Sequence, residues 1–162
     1  MSGLNYKKHL LVTGFLFTLH NMEEAFGFSR FIYPTQLPAY LPQPLSMIWA
    51  IGLITLLAWG FILVANIQYN ENFRKDLLTI FATVFLVNAI FPHIAGTLFL
   101  HRYFPAVITS VILFLPYSIW LLPKLYKLYG KPIKFFGVAT GGVFAGGIIA
   151  LCLQLLTYMA TR

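Results

Sequence analysis

The residues of this chain that could do chemistry are concentrated in one short segment, His20-Asn21-Met22-Glu23-Glu24. It places three ionisable side chains inside an apolar stretch, about residues 10–31, and holds two of the chain's four acidic residues. Placing an ionisable side chain in hydrocarbon costs free energy, and such side chains within membrane segments usually have a function. The segment therefore predicts the position of a functional site.

Helical spacing would bring these side chains together. His20 and Glu24 are four residues apart and His20 and Glu23 three apart, so all three share one helix face. Imidazole nitrogen and carboxylate oxygen suit zinc, iron or manganese. The same groups could instead transfer a proton, with a carboxylate setting the basicity of the histidine. A polar cluster that only joins helices is the third interpretation, and three ionisable groups on one face favour a function over it.

A second polar position lies further along, from Asn88 to His93. Pro92 has no N–H and clashes with the carbonyl of Asn88, which predicts a kink and a free carbonyl beside His93. His20 and His93 lie ten and nine residues before an arginine that marks the outer end of their respective spans. At the helical rise the two histidines are at a similar depth. We therefore expect His93 to join the His20 cluster.

The elements that position these residues are transmembrane helices. The chain is 59% hydrophobic and 9% charged, with a mean hydropathy of +0.80, which predicts an all-α, multi-pass membrane bundle. The single cysteine excludes an intrachain disulfide and a cysteine-based metal site. We predict one integral membrane domain, residues 1–162, with five spans at about 9–30, 44–68, 76–100, 105–122 and 135–160.

The basic residues predict the orientation. With five spans, eight of the eleven lysines and arginines fall on the side of the N-terminus, so this side should be cytoplasmic and the C-terminus on the opposite side of the plasma (inner) membrane. The charges are spread over membrane-edge loops, which argues against nucleic-acid binding. Overlapping Gly-x-x-x-Gly spacings between Gly137 and Gly147 predict close helix packing, within the bundle or across a homodimer.

The motif residues resemble a known family. His20-Asn21-Met22-Glu23-Glu24 is similar to the motif of the HXXEE-domain membrane proteins, which also carry a further histidine and a Tyr-x-Pro-Gly motif. Tyr103-Phe104-Pro105-Ala106 resembles the latter, with alanine in place of glycine. The resemblance implies that the further histidine corresponds to His93, with His101 the alternative, and that the activity is metal-dependent.

We therefore predict an intramembrane enzyme that acts on a lipid-soluble, apolar small molecule, with membrane lipid around it. The catalytic candidates are His20, Glu23, Glu24 and His93, of which His20, Glu24 and His93 would bind a divalent transition metal. Two histidines and one carboxylate would leave a position for water; without metal, a buried glutamate could move a proton. Asn88, Tyr103 and His101 are the candidate ligand-binding residues. The alternative is a non-enzymatic small-molecule or ion binder or transporter that uses the same cluster.

Overall fold

Five long helices account for most of the chain in the computed structural model, which describes residues 4–32, 44–68 and 70–161. Those residues contain no strand, so the predicted all-α class is confirmed. The helices are α1 (Tyr6–Gly27), α2 (Pro44–Ile67), α3 (Glu71–Leu100), α4 (Val107–Lys127) and α5 (Pro132–Ala160). A wider helical turn, Phe28–Ile32, continues α1.

Several helices extend beyond the predicted spans, among them α1, which begins at Tyr6, and α5, which begins at Pro132. Two further differences have local reasons. α3 begins at Glu71 and not near residue 76, because the Asn70 side chain accepts a hydrogen bond from the backbone N–H of Phe73 and caps the helix. α4 runs through Pro123 to Lys127 and does not end at residue 122. Proline removes only its own N–H, and a helix in apolar surroundings has strong reason to keep its remaining backbone bonds.

α3 is interrupted at the predicted proline. Phe91 has φ −133° and ψ 121°, outside the helical region, since a proline restricts the residue before it to extended conformations. The interruption lies within a segment of wider turns, Ala89–Ile94, and His93 in this segment is fully buried. The predicted kink is confirmed, and it places a polar side chain in the protein interior.

The bundle is organised around α3, which contacts each of the other four helices. Close approach of α5 to α3 depends on Gly142, because a Cβ added there would lie 2.5 Å from Cγ1 of Ile80. Gly146, one turn later, faces Val84 of α3, whereas Gly137, Gly141 and Gly147 have no such neighbour within 4 Å. Part of the glycine pattern of α5 therefore serves packing within the bundle.

The outer surface of the bundle is apolar. Large side chains such as Ile67, Phe99 and Met159 are more than three-quarters exposed, which in water would be a heavy cost. Four helices in the described part of the chain, α2 to α5, are long and apolar enough to cross a membrane. α1, which carries the ionisable segment, is not among the four.

Candidate functional site

α1 and the interrupted part of α3 bring the two predicted histidines into contact. The ring centroids of His20 and His93 are 4.7 Å apart, with the rings nearly perpendicular, and both side chains are fully buried. Glu24, one helical turn after His20, is partly buried beside them. One ligand atom from each of these residues lies within 4.8 Å of the other two. Two residues of one helix and one of another thus converge on a single point.

Hydrogen bonds fix the orientation of both imidazoles. Nδ1 of His93 is 2.5 Å from the backbone oxygen of Pro105; a carbonyl can only accept, so Nδ1 carries the hydrogen. Nδ1 of His20 is 3.1 Å from Oγ1 of Thr109, whose own hydroxyl donates to the carbonyl of Ala106 at 3.3 Å. In both neutral rings the lone pair is therefore on Nε2. Metal-binding histidines are usually held by such a bond from their other nitrogen.

Asn88 lies between the two rings. Its Nδ2 is 3.0 Å from Nε2 of His20 and 3.2 Å from Nε2 of His93. Since both Nε2 atoms are acceptors, the side-chain amide donates one hydrogen to each. Asn88 is thus part of the site through its side chain, whereas the sequence pointed to it through its backbone carbonyl.

Glu23 has a different role from its neighbour. Its Oε1 accepts hydrogen bonds from the hydroxyl of Tyr103 at 2.7 Å and from the N–H of Ile108 at 3.1 Å, and its Oε2 accepts from the N–H of Thr109 at 2.7 Å. The two N–H groups belong to the first turn of α4, where backbone N–H groups have no acceptor within the helix. The start of a helix also favours a negative charge nearby. Glu23 therefore caps α4 from a neighbouring helix.

The α3–α4 turn and the start of α4, both held by Glu23, orient the two histidines. The turn supplies the Pro105 carbonyl to His93, and the first turn of α4 supplies the Thr109 hydroxyl to His20. Burial, followed by the hydrogen bond to the Glu23 carboxylate, raises the pKa of Tyr103 above its usual range. The phenol therefore stays protonated and remains a donor to Glu23.

Glu24, in contrast, makes no hydrogen bond with any residue that the structure describes. Its carboxylate is the one acidic group of the His20, Glu24 and His93 cluster. The two adjacent glutamates are thus divided between two tasks: Glu23 holds the turn, and Glu24 faces the histidines.

Backbone geometry brings the turn close to α1. Ala106 has φ +61° and is fully buried, so it adopts the left-handed conformation that glycine prefers. The glycine-to-alanine departure noted in the sequence therefore leaves this conformation in place. Gly27 of α1 packs against the turn so tightly that an added Cβ would lie 2.8 Å from Cβ of Pro105.

Aromatic rings close the site on the side toward the N-terminal half of α1. Phe114 stacks on His20 with ring centroids 4.1 Å apart and on Phe85 at 3.7 Å, and Phe85 stacks on Phe17 at 5.9 Å. Phe85 and Phe114 are fully buried. They form an apolar floor beneath the histidines.

The structure does not bring every predicted residue into the cluster. His101 is exposed at the end of α3 and is not part of the group. Tyr103 is also outside the group and donates a hydrogen bond to Glu23. Thr109 and the Pro105 carbonyl were not among the residues predicted from the sequence. A hydroxyl within the fourth apolar run was a signal for Thr109, but a backbone carbonyl leaves none.

The site residues lie within a segment that matches a family model described as "Protein of unknown function with HXXEE motif", over residues 11–121. The chain belongs to this family, as its motif indicated. It is 26% identical to the "Uncharacterized protein YrkK" of Bacillus subtilis (strain 168), over 151 residues that cover 89% of each chain. No solved structure matches the chain.

Proposed function

We propose that this member of the HXXEE family is a membrane-embedded enzyme whose His20, Glu24 and His93 hold a divalent transition metal. The observation that carries the proposal is their convergence: three ligand atoms within 4.8 Å of one another, in the interior of an apolar bundle. Zinc, iron and manganese all accept two imidazoles and a carboxylate.

The chemistry of the donor set supports this assignment. Both histidines direct the lone pair of Nε2 into the site, because their Nδ1 atoms are hydrogen-bonded to Pro105 and Thr109. The Glu24 carboxylate has no competing hydrogen bond in the described part of the chain. A cluster built only to join helices would also use the Glu24 carboxylate to bond a neighbouring helix.

Bound there, a metal would act as a Lewis acid toward a polar atom of the substrate. The rest of the chemistry would come from the chain itself. Glu24 supplies the carboxylate of the cluster, and the Phe114 and Phe85 floor excludes water from one side. Apolar surroundings of this kind favour a lipid-soluble small molecule as substrate.

The same floor favours an enzyme over a transporter. The interruption of α3 at Phe91 resembles the broken helices of transporters. A transporter must open its site to both sides in turn, however, and stacked Phe17, Phe85 and Phe114 fill the way toward the N-terminal half of α1. A site with one closed side is suited to turnover or binding.

Elemental analysis of the detergent-purified full chain tests the metal. We expect about one transition metal per chain in the wild type, and none in His20→Ala, His93→Ala or Glu24→Gln. His101→Ala is the matched control, because it removes an exposed histidine outside the cluster and should keep the metal. Equal metal content in all five proteins would disprove the proposal.

Lipid extracts of cells that express wild type or His20→Ala would test the enzyme. We expect at least one apolar compound to accumulate or disappear only with the wild type. A compound that co-purifies unchanged with the protein would instead indicate a binder.

In the proposed orientation, the protein lies in the plasma (inner) membrane with its N-terminus on the cytoplasmic side and its C-terminus on the opposite side. Eight of the eleven basic residues lie on the cytoplasmic side if all five helices span, α1 included. Reporter fusions at both termini test it, and reporters active in the same compartment would exclude a five-span arrangement.

A further inference from the structure

We infer that Asn88 is a displaceable placeholder, which holds the two histidines ready in the metal-free protein and must leave its place when the metal enters. The inference rests on the proposed metal site. It assigns to Asn88 a positioning role toward the metal that neither the motif nor the ligand spacing indicates.

The atom that lies between the two rings is the amide nitrogen of Asn88. Because the carbonyl of Pro105 fixes the hydrogen of His93 on Nδ1, Nε2 of His93 can only accept. Asn88 must therefore turn its NH₂ group, and not its oxygen, toward both rings. An NH₂ group has two hydrogens, so one side chain satisfies two buried acceptors.

A metal ion bound to both histidines would need the space that the Asn88 amide occupies. The lone pairs of both Nε2 atoms point at Nδ2 of Asn88, at 3.0 and 3.2 Å. A metal ion bonds imidazole nitrogen at about 2.0–2.1 Å along the same lone pair, which places it about 1 Å from the amide nitrogen. The metal and the Asn88 amide cannot occupy the site together.

Removal of the Asn88 amide should affect the stability of the metal-free protein more than that of the metal-bound protein. With Asn88 removed and no metal bound, two buried acceptors lose their partner, which destabilises the metal-free protein. The metal-bound protein loses nothing comparable, because both Nε2 atoms then bind the ion. Removal of the amide should therefore favour metal binding, an effect opposite to that expected for a ligand.

The experiment titrates chelator-stripped full-length protein in detergent with Co²⁺ and with Zn²⁺, and records thermal unfolding with and without metal. Asn88→Ala should bind about ten-fold more tightly than the wild type, equivalent to about 1.4 kcal/mol. Its metal-free form should melt below the metal-free wild type, and the two loaded forms should melt closer together. Asn88→Ser, which can donate to only one ring, should fall between them and also serves if the alanine variant does not fold.

Asn21→Ala is the matched control. Asn21 is a buried asparagine beside His20, but its amide donates to Oγ1 of Thr55 at 2.6 Å, away from the cluster. This variant should melt lower in both states and bind metal as the wild type does. If the wild type binds metal and Asn88→Ala binds it equally or more weakly, the placeholder role of Asn88 is wrong and the proposed metal site is unaffected. Absence of binding by both proteins would remove the metal site itself.

Discussion

The adjacent glutamates should respond differently to the same isosteric change. In the wild type, the N–H of Thr109 donates to Oε2 of Glu23 at 2.7 Å. In Glu23→Gln, the side-chain oxygen can still accept from Tyr103 and Ile108, but an NH₂ group replaces Oε2 and cannot accept from Thr109. One charge-assisted hydrogen bond and the charge at the start of α4 are lost. From their usual contributions, we expect the free energy of unfolding to fall by about 2–4 kcal/mol.

In Glu24→Gln, no hydrogen bond to the described residues is lost. We therefore expect the unfolding free energy of the metal-free protein to change by less than about 1 kcal/mol. Metal binding should disappear, because the variant lacks the one carboxylate of the cluster. The pair thus separates stability from binding at neighbouring positions.

Thermal unfolding of the metal-stripped variants in one detergent, followed by metal titration of the folded fraction, measures both quantities. Glu23→Gln should melt clearly below the wild type and, below that temperature, still bind metal. The reasoning would be refuted if Glu23→Gln kept full stability and lost the metal while Glu24→Gln kept it. That result would assign Glu23, and not Glu24, to the histidines.

Three further predictions concern the surroundings of the site. Gly27→Ala should push the turn at Pro105 away from α1 and cost about 1–3 kcal/mol through overpacking, with weaker metal binding in the folded protein; Gly52→Ala, which has open space at Cβ, is the control in the same stability assay. Ala106→Gly should change stability by less than about 1 kcal/mol, since relief of the positive φ offsets the lost buried methyl group, and thermal unfolding beside Ala106→Val, which should be clearly less stable, checks it. Arg74→Met should lower stability by about 3 kcal/mol, because the guanidinium donates to the last carbonyls of α2; unfolding no different from that of the exposed control Lys127→Met would contradict it.

The helices and the approximate position of the candidate site could be predicted from the sequence alone. Apolar runs long enough for spans, bounded by polar residues and prolines, predict helices because a backbone in an apolar environment must satisfy its own hydrogen bonds. The interruption of α3 could be predicted from Pro92, because proline has no N–H and clashes with the carbonyl four residues earlier. The four-residue spacing of His20 and Glu24 predicted a shared face, since helix geometry fixes which side chains are neighbours.

The contacts of each polar residue, in contrast, depend on how the helices pack against one another. Helical spacing treats Glu23 and Glu24 almost alike, but α4 begins beside one of them, and the position of a neighbouring helix is not encoded in local spacing. The tautomers of His20 and His93 depend on Thr109 and on a backbone carbonyl, which every residue possesses and which therefore has no sequence signature. The place of Asn88 between the rings likewise follows from how α1 and α3 pack, because a contact between residues 68 positions apart exists only in the folded chain.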